Sequence, residues 1–312
     1  MGIVIAGLGT ALPERRLTNA DLEAVLDTSD AWIVERTGMR ERRMAGPDED
    51  SATLGGAAGA AAIKDAGLTP GDIGLLLVAT CTPVQVLPAT AALVQEMLGL
   101  RCGALDIGAA CSGFVYGLVA ANGMANGQPV LLIGTETLSR ITDPEDRSTR
   151  ILFGDGAGAA VLVPSAAGGG LVAWDLGCDG AGASLLEVPR GERYMRMEGR
   201  EVFRRAVRVV VESCTKVLAQ AGVAASEVAL FVPHQANLRI IEACCSRLGI
   251  PLERTAVNLD RYGNTSAASI PIALAEAAAE GRLSPGDHVL LAGFGAGMTW
   301  ASAVMRWERT QQ

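Results

Sequence analysis

The chain has 312 residues, of which 49% are hydrophobic and only 19% charged, with a formal net charge of −8. That is enough apolar material for one large domain or two medium ones, and the acidic balance argues against nucleic acid binding by bulk electrostatics. No window reaches the roughly 18 uninterrupted apolar residues of a membrane span. The seven cysteines form no C-x-x-C pair, and with only His234 and His288 beside them no zinc pattern can be assembled, so reduced thiols and no metal are expected.

The N-terminal run GIVIAGLGTALPE has no basic flank and is broken by glycines, so no secretory signal is expected and a cytoplasmic location is the default. Pro13 follows GLGTAL, so no helix opens there, the dinucleotide fingerprint fails, and the stretch reads as a tight strand connection. Helices are predicted over 53–66 and 89–98, and apolar runs such as IGLLLVA and PVLLIG suit strands covered on both faces. In LDIGAACSGFVYG, residues 105–117, Cys111 falls between the strand GALDIG and the helix SGFVYGLVAANGMA. Unpaired amides and the positive end of the helix favour a thiolate there, so the thiol is expected below its ordinary value of about 8.5. A buried structural cysteine is the competing reading. GDGAGAAVLV, residues 154–163, runs into a β-type segment and also reads as a tight strand connection.

The weakest point of the chain is PSAAGGG, residues 164–170, and the segments on either side resemble each other. AAIKDAGLTPGDIGLLLVAT aligns with KVLAQAGVAASEVALFVPHQ at an offset of 155 (Gly67 and Gly222), and PVLLIGTETL with HVLLAGFGAG at 159 (Gly134 and Gly293). Two pseudo-symmetric halves, 1–165 and 166–312, are therefore expected in a layered α/β fold, with further helices over 202–220, 236–248 and 266–280. Sites in such folds gather at the carboxyl ends of strands. His234, in LFVPHQANLRII, and Asn264, in NLDRYGNTSAAS, both fall there. Asn264 lies 153 residues after Cys111 (264−111), making it nearly the repeat counterpart, and N-capping of a helix starting at Thr265 is its other reading. The GFGAG turn can offer a backbone N–H to an oxyanion. His288 begins a strand and receives no role.

Six stretches in order, TSDAWIVERTGMRERR, GAACSGFVYGL, ILFGDGAGAAVL, VPHQANLRII, NLDRYGNTSAASIPIAL and GFGAGMTWASA, resemble the thiolase-fold condensing enzymes, most closely the β-ketoacyl-(acyl carrier protein) synthase III family. The resemblance implies an α-β-α-β-α fold with mixed, largely parallel sheets. It implies an acyltransferase that starts type II fatty acid biosynthesis by decarboxylative Claisen condensation of an acyl-CoA with malonyl-(acyl carrier protein). By the same resemblance Cys111, His234 and Asn264 form the catalytic triad, and the N–H groups of Cys111 and Ala296 the oxyanion hole. The family commonly has glycine at the place of Ala296. Trp32, Arg36 and Arg147 match positions that hold the CoA nucleotide. Arg239 matches a carrier-protein contact, and Arg204 belongs to segment 190–208, where seven arginines face three glutamates, a local +4 (7−3). Leu87 replaces the aromatic often found where a neighbouring subunit reaches into the acyl pocket.

A homodimer and no cofactor beyond the two substrates are also implied. A thiolase would need a second cysteine near the C-terminal turn, and none follows Cys245. An elongating synthase uses a second histidine where Asn264 stands. A synthase III-like enzyme of secondary metabolism and a non-catalytic carrier-binding scaffold remain as alternatives.

Overall fold

Alternation along single strands explains how two sheets and five layers arise from this chain. In the strand Leu75–Ala79, Leu77 faces one buried cluster while Leu76 and Val78 face another; in Val130–Thr137, Leu132 is set against Leu131 and Ile133 in the same way. With both faces apolar, each sheet requires helices on both sides. The computed structural model describes residues 2–165 and 169–309. The first sheet contains β1 (Gly2–Ala11), β2 (Leu75–Ala79), β3 (Gly103–Ile107), β4 (Val130–Thr137) and β5 (Asp155–Ser165), in the order β1-β5-β4-β2-β3. The second contains β6 (Gly170–Cys178), β7 (Val228–Pro233), β8 (His288–Gly295) and β9 (Thr299–Arg306), in the order β7-β8-β9-β6. Residue 166, the expected start of the second half, lies outside the described residues.

Helices α1 (Ser51–Asp65) and α2 (Thr90–Met97) cover the outer face of the first sheet. α4 (Gly199–Ala221) and α5 (Leu238–Leu248) cover that of the second. Between the sheets lie α3 (Gly113–Met124) and α6 (Ser269–Ala279), whose Phe114, Leu118, Ile270 and Leu274 share one core with Ile5 and Leu132 on one side and Val232 and Leu291 on the other. The sheets are mixed, with parallel pairings β4/β2, β2/β3 and β7/β8 and four antiparallel ones. Of the antiparallel pairs, β8 and β9 are joined directly by the turn Ala296–Met298.

Two glycine stretches differ from expectation. GLG is not a strand connection: β1 runs unbroken through it, and a Cβ on Gly7 or Gly9 would stand 2.3 or 2.2 Å from a carbonyl oxygen of α1. GDGAG likewise lies at and within the start of β5, where Gly158 lets α6 approach. Both runs allow helix backbones to press directly on strands. Among the described residues no helix is long and apolar enough to cross a membrane.

Candidate active site

β3 ends at Ile107, and the chain turns through Ala110–Ser112 into α3, which places Cys111 at the helix entrance. Ala110 has φ of 45°, a left-handed conformation that is costly for a residue with a Cβ. The turn is clipped in place: the Ser112 hydroxyl donates to the Ala109 carbonyl at 2.6 Å and to Thr299 Oγ1 at 2.9 Å. Thr299 in turn donates to the carbonyls of Ala109 and Ala296. The last residues of β8 press on the nucleophile turn, so that a Cβ on Gly295 would lie 2.6 Å from the Cys111 nitrogen. Cys111 and Ala296 thus stand side by side, each in the first residues of a tight turn, where amide donors have no partner within the turn itself.

The thiol does not behave as the helix entrance alone predicts. Cys111 is 7% exposed, and burial pushes its pKa up to about 12, with the Ser266 hydroxyl opposing and the Glu136 carboxylate adding to the rise. Loss of water around the sulfur outweighs the helix dipole, because a thiolate loses more hydration than the partial charge at a helix end restores.

His234 follows β7 and extends its parallel pairing by donating its backbone N–H to the Ala292 carbonyl at 2.7 Å. Its ring stands edge-on to Phe294, with centroids 5.4 Å apart, and Nδ1 lies 2.7 Å from Ser269 Oγ. Ser269 Oγ also accepts the Gln235 N–H at 3.4 Å. The tautomer that takes the serine proton at Nδ1 carries its own on Nε2. Burial lowers the imidazole to about 3, so it is a neutral donor at any physiological pH.

Asn264 is fixed on both sides of its backbone, donating to Leu152 at 2.8 Å and accepting from Gly154 at 3.0 Å. Its Oδ1 accepts the Ser266 N–H at 2.9 Å, leaving the Nδ2 group as the end that donates. It caps only the short turn Ser266–Ala268; α6 begins at Ser269, not Thr265. Nor is it the counterpart of Cys111. The left-handed residues Ala110 and Ser266 are 156 apart (266−110), as are the starts of α3 and α6 (269−113), which pairs Cys111 with Ala267.

A cavity of about 260 Å³ opens at Cys111, lined by Ala110, Ala296, Ser266 and Cys81 and by the apolar side chains of Leu138, Ile141, Phe153, Leu186, Val188 and Met195. A larger cleft of about 520 Å³ beside Leu8, Asp65 and Trp307 holds none of the predicted site residues. Leu87 does not line the Cys111 cavity of its own chain; it is 83% exposed in a loop with Val84 and Val86. Trp32, Arg36 and Arg147 do come together, their guanidinium carbons 5.9 and 4.9 Å from the indole centroid. The Asn237 side chain donates to the Arg36 carbonyl at 3.0 Å and ties this cluster to the start of α5, where Arg239 is exposed. Arg204 pairs with Glu201 on α4 and, with Phe203, Arg208 and Arg247, lines a cleft of about 330 Å³. Ser266, Ser269 and Glu136 had no role in the sequence reading; the S/T-rich run after Asn264 was the only signal for the serines.

Residues 218–307 match the family model described as 3-oxoacyl-(acyl carrier protein) synthase III C terminal, and residues 105–180 that described as 3-oxoacyl-(acyl carrier protein) synthase III. A protein of Roseiflexus sp. (strain RS-1) named β-ketoacyl-(acyl carrier protein) synthase III is 50% identical, the match spanning 97% of this chain and 98% of that one. The crystal structure of 3-oxoacyl-(acyl carrier protein) synthase III from Aquifex aeolicus superposes with a TM-score of 0.94 at 46% identity, over 98% of this chain and all of that one. The priming β-ketosynthase of the R1128 polyketide pathway superposes with a TM-score of 0.93 at 35% identity, over 99% of this chain and 97% of that one.

Proposed function

Since the chain belongs to the β-ketoacyl-(acyl carrier protein) synthase III family, we propose that Cys111 is the acyl acceptor of its reaction and that His234 and Asn264 serve the decarboxylation. The enzyme is a condensing acyltransferase that initiates fatty acid biosynthesis from an acyl-CoA and a malonyl-carrier substrate. Cys111 attacks the acyl-CoA thioester, and the N–H groups of Cys111 and Ala296 receive the oxyanion. CoA leaves and malonyl-(acyl carrier protein) enters. Nε2 of His234 and Nδ2 of Asn264 donate to its thioester carbonyl as carbon dioxide departs, and the resulting carbanion takes the acyl group from Cys111.

One observation carries this reading: the two side chains assigned to decarboxylation are held as neutral groups, His234 by burial that lowers its imidazole to about 3 and Asn264 by the Ser266 N–H on its Oδ1. Loss of carbon dioxide leaves an enolate, and neutral donors stabilise the charge as it develops. Trp32 suits a base stacked on its indole, and Arg36 and Arg147 suit the phosphates of CoA. Arg239 and Arg204 lie on the basic side that suits an acidic carrier protein. No resident cofactor or metal is required by this chemistry. The exposed Val86 and Leu87 suit a second copy of the chain, which would bring Leu87 to the partner's acyl cavity.

Intact mass after incubation with a panel of acyl-CoAs tests the proposal. An adduct is expected that is absent in Cys111→Ala, requires more acyl-CoA in Trp32→Ala, and disappears on addition of malonyl-(acyl carrier protein) with release of a β-ketoacyl carrier product. An adduct surviving in Cys111→Ala would place the acyl group elsewhere. The similarity to the R1128 priming enzyme supports a second reading, priming of a polyketide, which the same assay separates by the carrier accepted.

A further inference from the structure

Attack of a thiol on a thioester frees a proton from sulfur, and some group has to hold it until the leaving thiolate takes it. Asn264 offers no base, and burial lowers the His234 imidazole to about 3, too weak a base to hold that proton. A buried carboxylate lies behind the cavity. Glu136, on β4, is fully buried, and its Oε1 accepts the Ser266 hydroxyl at 2.9 Å and the Cys81 thiol at 3.2 Å. Its Oε2 accepts the Thr82 hydroxyl at 2.6 Å. Ser266 lines the cavity with Cys111, its Oγ stands 3.7 Å from Cys81 Sγ on the same wall, and its hydroxyl is the group that opposes the rise of the Cys111 thiol. Its φ of 48° is a left-handed conformation held by the bond from its N–H to Asn264, a strain of the kind that accumulates at functional sites.

We propose that Ser266 and Glu136 form a proton relay for Cys111, the thiol proton passing to Ser266 Oγ as the serine proton passes to Glu136 Oε1. The S–H bond breaks as sulfur bonds the acyl carbon, and the proton held on Glu136 returns to the CoA thiolate. Thiol and acyl-CoA thus give acyl-cysteine and CoA thiol with no net proton gained or lost. The inference rests on Cys111 as the acyl acceptor. Its physical merit is that carboxylate and thiol become carboxylic acid and thiolate, so the total charge in a buried site is unchanged. Burial holds Glu136 above the ordinary carboxylate range, which narrows its gap to the thiol. Ser266 shares the cavity wall with the reacting sulfur, while Glu136 acts through Ser266.

Alkylation of Cys111 by iodoacetamide at neutral pH, followed by peptide mass, reads thiol deprotonation without any CoA chemistry. Glu136→Gln and Ser266→Ala are each expected to slow it about 10²-fold, with a similar loss of acylation rate at saturating acyl-CoA and little change in KM. The double variant is expected to be no slower than either single one, as for residues acting in series. If Glu136 acted only as a charge the sign would reverse, because its carboxylate disfavours the thiolate and Glu136→Gln would then speed alkylation. Alkylation unchanged or faster in the variants, or an effect on KM alone, overturns the relay. Ser266→Ala leaves the carboxylate and its other donors in place, so it answers even if Glu136→Gln fails to fold. Slowed alkylation in the variants, with a wild-type enzyme that takes no acyl group from any CoA thioester, would support the relay and refute the acyl-acceptor reading.

Discussion

At the level of single residues, the site is defined by what is kept uncharged. His234 is 3% exposed among Phe294, Ser269 and the end of β8, with no carboxylate partner to support an imidazolium. Its folded pKa of about 3 lies below the ordinary value near 6.5. Between those values the unfolded chain binds a proton that the folded one does not, so stability falls as pH drops through that window. Denaturant midpoints measured from pH 7 to pH 4 are expected to decline, and His234→Ala is expected to flatten the decline by up to one proton. An identical slope in the variant would mean that the ring is solvated in the fold. His234→Ala is also expected to slow condensation about 10²- to 10³-fold, the usual effect of removing one preorganised donor.

At the level of elements, catalytic position is set by backbone contact between strands and turns. β8 reaches the Cys111 turn only because Gly293 and Gly295 carry no side chain: a Cβ would lie 2.9 Å from the Ser112 Cα in one case and 2.6 Å from the Cys111 nitrogen in the other. Gly295→Ala must therefore push the two oxyanion turns apart. It is expected to lower stability by about 1–3 kcal/mol, as overpacking does, and to slow acylation by more than tenfold. Thermal melting together with the mass assay checks both. Acylation at the ordinary rate would show that the Ala296 turn is not part of the oxyanion site. The sequence analysis identified the strands Leu75–Ala79, Gly103–Ile107 and Val130–Thr137 and the six main helices to within a few residues, since apolar periodicity and glycine punctuation are local signals, while β6 went unread. It read GLG and GDGAG as connections because nothing local distinguishes a turn glycine from one that lets a helix approach a strand.

At the level of the whole molecule, the sites proposed for CoA and carrier protein lie on adjoining elements. Asn237, at the start of α5, binds the carbonyl of Arg36, which shares its helix with Trp32. Val86 and Leu87, 92% and 83% exposed, leave an apolar loop facing outward. For the proposed homodimer, light scattering is expected to give twice the mass of one chain, and Val86→Asp with Leu87→Asp to shift it toward one. A wild-type protein that stays monomeric at micromolar concentration would remove Leu87 from any part in the acyl pocket.

The sequence alone determined the layered α/β class and the positions of Cys111 and His234 just after strands, because each is written in short-range pattern or in stretches that resemble a known family; Asn264, expected at a strand end, instead follows the short helix Leu259–Tyr262 and makes only an isolated bridge to Phe153. Tertiary structure decided the chemistry of those positions. That Cys111 is pushed up to about 12 despite its helix entrance follows from how completely water is excluded around it. The partner of His234 Nδ1 is Ser269, 35 residues away, and the carboxylate behind Ser266 comes from a strand 130 residues earlier. Desolvation and long-range hydrogen bonds depend on which distant segments meet, and no window of sequence contains both sides of such a contact.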